Sequence, residues 1–252
     1  MASLAFSPPP PPRTRVIRSA SSAGERQNLF NRIAPVYDNL NDLLSLGQHR
    51  VWKRMAVSWS GAKKGDRVLD LCCGSGDIAF LLSDRVGSAG HVTGLDFSAD
   101  QLSVASARQG SHWNSCHNNI TWVEGDALDL PFLDGCFDAV TIGYGLRNLI
   151  DKRNAMKEIF RVLKPGKRVS VLDFNKSTNA LTMVIQEWMI DNVVVPVASG
   201  YRLRDEYAYL KRSIAEFLTG KELEELAKEV GFSKAKHYEI GGGLMGNLVA
   251  TR

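Results

Sequence analysis

Val68-Leu69-Asp70-Leu71-Cys72-Cys73-Gly74-Ser75-Gly76-Asp77 is the stretch that decides the fold. Val68, Leu69 and Leu71 read as a short buried strand, expected over 67–72. Gly74 and Gly76 let the backbone turn sharply and approach a ligand closely. Ile78, Ala79, Leu81 and Leu82 follow at helical spacing, which predicts a helix over 77–86. A strand, a glycine turn and a helix N-terminus make a nucleotide-type pocket in an α/β sheet. The acids at Asp70 and Asp77 narrow the ligand. Carboxylates at the turn repel a pyrophosphate and accept a cation that carries an amino group.

Working outward, strands are expected at His91–Asp96, Ile120–Glu124, Phe137–Ile142 and Arg168–Phe174. Helices are expected over 98–108 and 151–163, the second stopped by Lys164-Pro165-Gly166. This alternation implies a parallel sheet with helices on both faces. Upstream, residues 26–59 read as helical, with a break at Pro35. Trp52, Met55, Ala56 and Trp59 then share one face of a second helix. Downstream come an apolar helix over 178–195, a helix over about 205–215, and one over 219–229. The last opens on Thr219-Gly-Lys-Glu222, a capping-box pattern. Gly241-Gly242-Gly243 separates two short strands, 234–240 and 246–251, so the last strand is expected to run antiparallel to its neighbour. The fold expected is α/β, with a mostly parallel seven-stranded sheet.

The chain has 252 residues and a formal net charge of +4. Residues 1–24 hold Arg13, Arg15 and Arg18 and no acid, so they supply +3 and leave +1 for the rest. The basic balance is therefore no sign of a nucleic-acid partner. That same segment carries Pro8–Pro12 and many Ser and Ala, and reads as an organellar transit peptide, plastid rather than mitochondrial. Residues 25–252 make one globular domain. Cys72, Cys73, Cys116 and Cys136 lack paired metal spacing and read as reduced thiols, and no metal site is expected. No apolar stretch is long enough to span a membrane.

Three further clusters fall where ligands bind, at the carboxyl ends of strands. Gly74-x-Gly76-x-x-Ala79 with Asp96 twenty residues after Gly76 fits a nucleotide fingerprint, with Asp96 as the acid that accepts ribose hydroxyls. Gly125-Asp126-Ala127 can read an adenine, the acid taking the amino group and the Ala127 N–H meeting a ring nitrogen. Gly143-Tyr144-Gly145-Leu146-Arg147-Asn148 places polar groups where substrate and cofactor would meet. Tyr207 and Lys211 match the Tyr-x-x-x-Lys pair of short-chain dehydrogenases, which implies an NAD(P)-dependent reductase as a rival. The glycine turn those enzymes carry near the N-terminus is absent here.

These positions together resemble a class I S-adenosylmethionine methyltransferase. More narrowly, the chain is similar to the family that C-methylates the quinol ring in quinone biosynthesis. Tyr37-Asp-Asn-Leu-Asn41-Asp42-Leu-Leu-Ser45, His49-Arg50-Val-Trp52-Lys53, Leu146-Arg147-Asn148 with Asp151, and Arg161-Val-Leu-Lys-Pro165-Gly166 carry the resemblance, with Tyr209 and Ser213. Cys72-Cys73 and Gly143 depart from the family's usual residues. The resemblance implies methyl transfer from S-adenosylmethionine to a ring carbon of a lipophilic prenylated naphthoquinol, with a mitochondrial benzoquinol enzyme as the alternative. Asp70, Gly74, Ser75 and Gly76 would engage the methionine end of the cofactor, Asp96 with Phe97 the ribose, Asp126 and Ala127 the adenine, and Gly143 would line the pocket. Arg147 would stabilise the phenolate, with Asn148, Tyr37, Asn41 and Asp42 around the ring. The apolar helices near Trp52–Trp59 and Met183–Val195 would cover the prenyl tail. Peripheral membrane or lipid-droplet contact and a homodimer are compatible with this reading.

Overall fold

The computed structural model describes residues 48–111, 117–189, 191–192 and 204–252. Tyr37, Asn41, Asp42, Cys116 and the helices expected before residue 48 lie outside the described residues.

Helix α1, Gln48–Ser60, leads into strand β1, Arg67–Leu71. Then come α2, Asp77–Val86; β2, His91–Asp96; α3, Ala99–Ser111; β3, Ile120–Glu124; and β4, Phe137–Gly143. A 3-10 turn, Leu146–Asn148, precedes α4, Lys152–Val162, and β5, Leu163–Phe174. The rest is α5, Ala180–Met189; α6, Arg204–Ala215; α7, Gly220–Val230; β6, Lys234–Ile240; and β7, Met245–Thr251. The sheet order is β3-β2-β1-β4-β5-β7-β6. Strands β1 to β5 are parallel, and β7 runs antiparallel to both β5 and β6. The order reverses direction between β1 and β4, which opens a crevice at their carboxyl ends.

Alternation along the strands builds two cores. Val68, Val92 and Ala139 pack with Ile78, Phe80, Leu82 and Val86 of α2 and Val57 of α1. Leu69, Leu71, Val140 and Ile142 face the other way, against Met156 and Ile159 of α4 and Leu223 and Leu226 of α7. Period two in the strands and period 3.6 in the helices give each face its own apolar layer.

Several local expectations meet their physical reasons here. The capping box forms: Thr219 Oγ1 accepts from the Glu222 N–H, and Glu222 Oε2 accepts from the Thr219 N–H at 2.7 Å. The triple-glycine turn adopts positive φ at all three residues and closes the β6–β7 hairpin. By contrast, β5 starts before the Pro-Gly stop. Leu163 already pairs with Phe137, the register then slips, and pairing resumes at Arg168 with Ala139. Lys164-Pro165-Gly166 is therefore an irregularity inside a strand. Cys72, expected to end β1, lies just outside it at φ +55.

Helix α1 packs on β4, β5 and α2. Its Trp52 lies against Gly241, and the Trp59 ring sits 5.1 Å from that of Tyr238. These tryptophans pack against the β6–β7 hairpin, which corrects the expectation that they cover a prenyl tail. Met183, Val184, Ile185 and Trp188 of α5 are exposed. Strand β6 forms one edge of the sheet, with Lys234 and Glu239 exposed on it.

Candidate active site

The crevice beyond β1, β2 and β4 is a cleft of about 300 Å³. Its wall includes Asp70, Gly74, Ser75, Asp96, Phe97, Asp126, Ala127, Gly143 and Asn148, which the sequence singles out. It also includes Asp77 and Tyr144, from the same quoted stretches, and Lys53 and Gln101.

Asp70 lies on β1, only 1 % exposed. The β1–β4 register sets it beside Thr141, whose hydroxyl donates to Oδ1 at 2.7 Å. Oδ2 is buried with no hydrogen-bond partner among the described residues. Burial pushes the Asp70 carboxyl up to about 7, against the Thr141 hydroxyl, the Ala79 backbone and the Lys53 charge, which pull it down. A buried carboxylate oxygen on a cleft wall, with no donor to meet it, is a seat for a cation or a strong donor.

The glycine turn is tied down from several directions. The Gly74 N–H donates to Asp96 Oδ2 at 2.9 Å, and the Ser98 N–H to Asp96 Oδ1 at 3.0 Å. Asp96 thus holds the turn and caps the next loop while its outer lone pairs face the cleft. Burial raises its carboxyl above the usual range despite these amides. Gly76 has φ +91, and a Cβ there would lie 2.6 Å from the Trp122 ring, so both conformation and space demand glycine. Arg108 reaches over from α3, donating to the Ser75 carbonyl at 2.9 Å and to Asp77 Oδ1 at 2.6 Å. Lys53 donates to Asp77 Oδ2 at 2.5 Å. Burial alone would raise the Asp77 carboxyl, but Lys53 and Arg108 outweigh it and hold it below the usual range. Asp77 is therefore neutralised, and the repulsion of a pyrophosphate expected from it rests on Asp70 and Asp96 instead.

Across the cleft, the Asp126 side chain accepts from the Leu128 N–H at 2.9 Å, and Ala127 is buried beside it. The Gly125 N–H donates to the Asp96 carbonyl at 3.0 Å and fixes this loop to the end of β2. Phe97 stands half-open at the rim. At Gly143 a Cβ would come 2.4 Å from the Ile78 terminal methyl, so a serine there requires that side chain to move. Burial pushes the Cys72 and Cys73 thiols far up, which leaves both as neutral wall groups. Among the described residues no cluster suited to a metal ion occurs.

Arg147 departs most from expectation. It is buried, not presented where substrate and cofactor would meet, and it is absent from the described cleft wall. Its Nη1 donates to Asp173 Oδ1 at 2.6 Å and to the Tyr144 carbonyl at 2.8 Å, its N–H donates to Asp173 Oδ2, and its guanidinium lies over the Phe174 ring. These bonds fasten the turn that carries Tyr144, held at φ +59, and Asn148. Strain of this kind is sustained by surroundings that over-determine it. Asn148 does reach the cleft: its Nδ2 donates to the Tyr144 carbonyl, and its Oδ1 accepts from Tyr209 at 3.1 Å. Asp173 escaped the sequence reading, and Lys53 entered it only as part of a motif with no role at the cleft, because their partners are 26 and 24 residues away. Lys211 pairs with Asp191 at 2.7 Å and does not line the cleft, so the dehydrogenase pair finds no site there; the Tyr207 side chain lies outside the described residues.

Known proteins resolve the class. The chain is 68 % identical over 240 residues to the 2-phytyl-1,4-beta-naphthoquinone methyltransferase, chloroplastic, of Arabidopsis thaliana, covering 95 % of this chain and 92 % of that one. It is 53 % identical to the 2-phytyl-1,4-naphtoquinone methyltransferase of Synechocystis, over 90 % and 94 % of the two chains. A SAM-dependent methyltransferase from Aquifex aeolicus has the same fold, with a TM-score of 0.61 at 17 % identity over 84 % and 96 % of the chains. The reductase reading is thereby overturned. A model of the ubiE/COQ5 methyltransferase family matches residues 19–252, and this protein belongs to that family.

Proposed function

We propose that the protein transfers a methyl group from S-adenosylmethionine to a ring carbon of 2-phytyl-1,4-naphthoquinol, the last methylation of phylloquinone (vitamin K1) synthesis. The observation that carries the donor is the buried, unpartnered Asp70 Oδ2 on the cleft wall, a seat for the methionine ammonium. Asp96 takes the ribose hydroxyls, and Asp126 and Ala127 read the adenine. The names of the Arabidopsis and cyanobacterial relatives support the acceptor. The residues fit the donor, which supplies an electrophilic methyl on a cationic sulfur.

A quinol ring carbon is a weak nucleophile. Loss of the neighbouring phenolic proton to solvent places negative charge on that carbon; the carbon bonds the methyl as the methyl–sulfur bond breaks to leave a neutral thioether, and the ring hydrogen of the methylated carbon then moves as a proton to the ring oxygen, which restores the aromatic quinol. The protein's part is alignment and stabilisation of the phenolate. Asn148 stands on the wall to orient the ring oxygen, with Tyr37, Asn41 and Asp42 proposed around the ring. Arg147, behind the wall, acts by holding the Tyr144–Asn148 turn and adding positive charge through it. The exposed apolar side chains of α5 suit work at a lipid surface, where a phytylated substrate resides.

Residues 1–24 are proposed as the plastid address, in keeping with the word chloroplastic in the Arabidopsis relative's name. Import of these residues fused to a fluorescent reporter tests this. The function is tested by incubating the protein with labelled S-adenosylmethionine and demethylated naphthoquinones, reduced or oxidised, and identifying products by mass spectrometry. Methylation of the reduced ring alone is expected, because the quinone has no phenolic proton to lose. Methylation of the oxidised ring, or of benzoquinols in preference, refutes the reading.

A further inference from the structure

Asn148 stands on the cleft wall, and both ends of its side-chain amide are held. The Tyr144 carbonyl can only accept, so the amide group that meets it at 3.0 Å is the nitrogen. The oxygen therefore faces Tyr209, 3.1 Å away, and the Tyr209 hydroxyl is the donor. Tyr209 does not line the described cleft wall itself. Whatever it does for the chemistry, it does through Asn148.

The sequence singles out Tyr209 and Ser213 without a role for either. Their spacing of four puts both on one face of α6. Ser213 is buried, as are Ile214 and Phe217 just beyond it. That face is turned to the interior, and it brings Tyr209 to a turn 61 residues earlier in the chain. The Arg212 guanidinium lies over the Tyr209 ring, 5.7 Å from its centroid, and steadies it.

The two ends of an amide have opposite polarity. The nitrogen end stabilises a phenolate, and the oxygen end repels one. The bond from Tyr209 keeps Asn148 Oδ1 turned toward α6. It also draws charge toward that oxygen, which makes the amide nitrogen a stronger donor. Arg147 fastens the backbone of the turn, and Tyr209 fixes the side chain that the turn presents.

We propose that Tyr209 is a positioning residue for the methyl transfer. Through Asn148 Oδ1 it orients the amide so that the nitrogen end meets the ring oxygen, and Asn148 stabilises the phenolate instead of repelling it. This rests on the naphthoquinol reading above and on the place of Asn148 beside the ring. It gives α6 a part in the reaction, although no described side chain of that helix lines the cleft.

The test is steady-state methylation of 2-phytyl-1,4-naphthoquinol across pH by the intact protein and its Tyr209→Phe variant, with S-adenosylhomocysteine affinity measured by calorimetry. Tyr209→Phe keeps the ring and removes only the donor. At pH 7, kcat should fall roughly 10- to 100-fold, the range of one hydrogen bond that answers a developing charge. The acid limb of the kcat profile should move up by about one to two pH units, because a less stabilised phenolate forms at higher pH. S-adenosylhomocysteine affinity should stay within about twofold, and adding Tyr209→Phe to Asn148→Ala should cost less than about twofold more, since the hydroxyl then has no amide to hold. Unchanged kcat in Tyr209→Phe, with Asn148→Ala impaired, overturns this inference and leaves the reading of Asn148 standing. A loss of S-adenosylhomocysteine affinity that matches the loss of kcat, an unmoved acid limb, or full additivity with Asn148→Ala also overturns it, because Tyr209 would then support the fold alone. Normal turnover by Asn148→Ala overturns the role of Asn148 and this inference with it. A wild type that methylates no naphthoquinol overturns the function itself.

Discussion

At the scale of single residues, the site depends on groups whose ordinary chemistry the fold has altered. Burial lifts Asp70 to about 7, from 3.8 for an exposed aspartate. Only its ionised form attracts an ammonium, so S-adenosylhomocysteine affinity should fall as pH drops below 7, approaching tenfold per unit. Binding should release a proton near neutrality. Calorimetry in buffers of different ionisation enthalpy measures both, and Asp70→Asn should flatten the profile while weakening binding. Gly76 is a second sensitive point. Gly76→Ala must place a Cβ against Trp122 at φ +91. A loss of about 1–3 kcal/mol is expected, together with a large loss of ligand affinity, read by chemical denaturation and titration. Much at this scale was legible from sequence: Asp70, Gly74, Asp96, Asp126 and Asn148 do meet at one cleft. Arg147 was misplaced because a sequence shows an arginine beside an asparagine and hides the aspartate on the next strand that buries it.

Elements were easier to read than side-chain partners. Helix α2 and strands β2 and β3 have the bounds their periodicity predicts, because each begins and ends on a change of pattern. The start of β5 was not legible: Pro165 and Gly166 look like a terminator, yet Leu163 finds a partner in Phe137 across the slipped register. Tertiary pairing overrode a local stop signal. Two predictions belong here. Thr219→Ala removes the side-chain half of the capping box at the start of α7 and should cost about 1 kcal/mol, measured by the denaturant midpoint, with turnover unchanged. Arg147→Met strips the partner from buried Asp173, joining the turn after β4 to β5. That should cost about 3–5 kcal/mol and most of the turnover. Adding Asp173→Asn to that variant should return part of the stability and little of the activity, as a double-mutant cycle would register.

For the whole molecule, the elevated Asp70 carboxyl makes stability depend on pH in a defined window. Its folded-state value lies above the unfolded one, so the unliganded protein takes up more protons than the unfolded chain between about 4 and 7. The stabilising contribution of Asp70 is fully present below that window and lost as pH rises through it. Asp77 and Asp138 are shifted the other way, and their contributions are lost only on acidification below the ordinary carboxylate range. A cationic ligand reverses the effect of Asp70 alone. The rise in melting temperature produced by saturating S-adenosylhomocysteine should therefore be larger at pH 8 than at pH 6, and Asp70→Asn should abolish the difference. The edge strand β6 has a consequence of its own. A ladder of amides and carbonyls along such an edge invites a foreign strand to zip on, although the His237 N–H is already taken by Glu224 at 2.7 Å. The ionised side chains of Lys234 and Glu239 along that border make such accretion unfavourable, so neutralising them should yield a catalyst that turns over normally but clumps on storage.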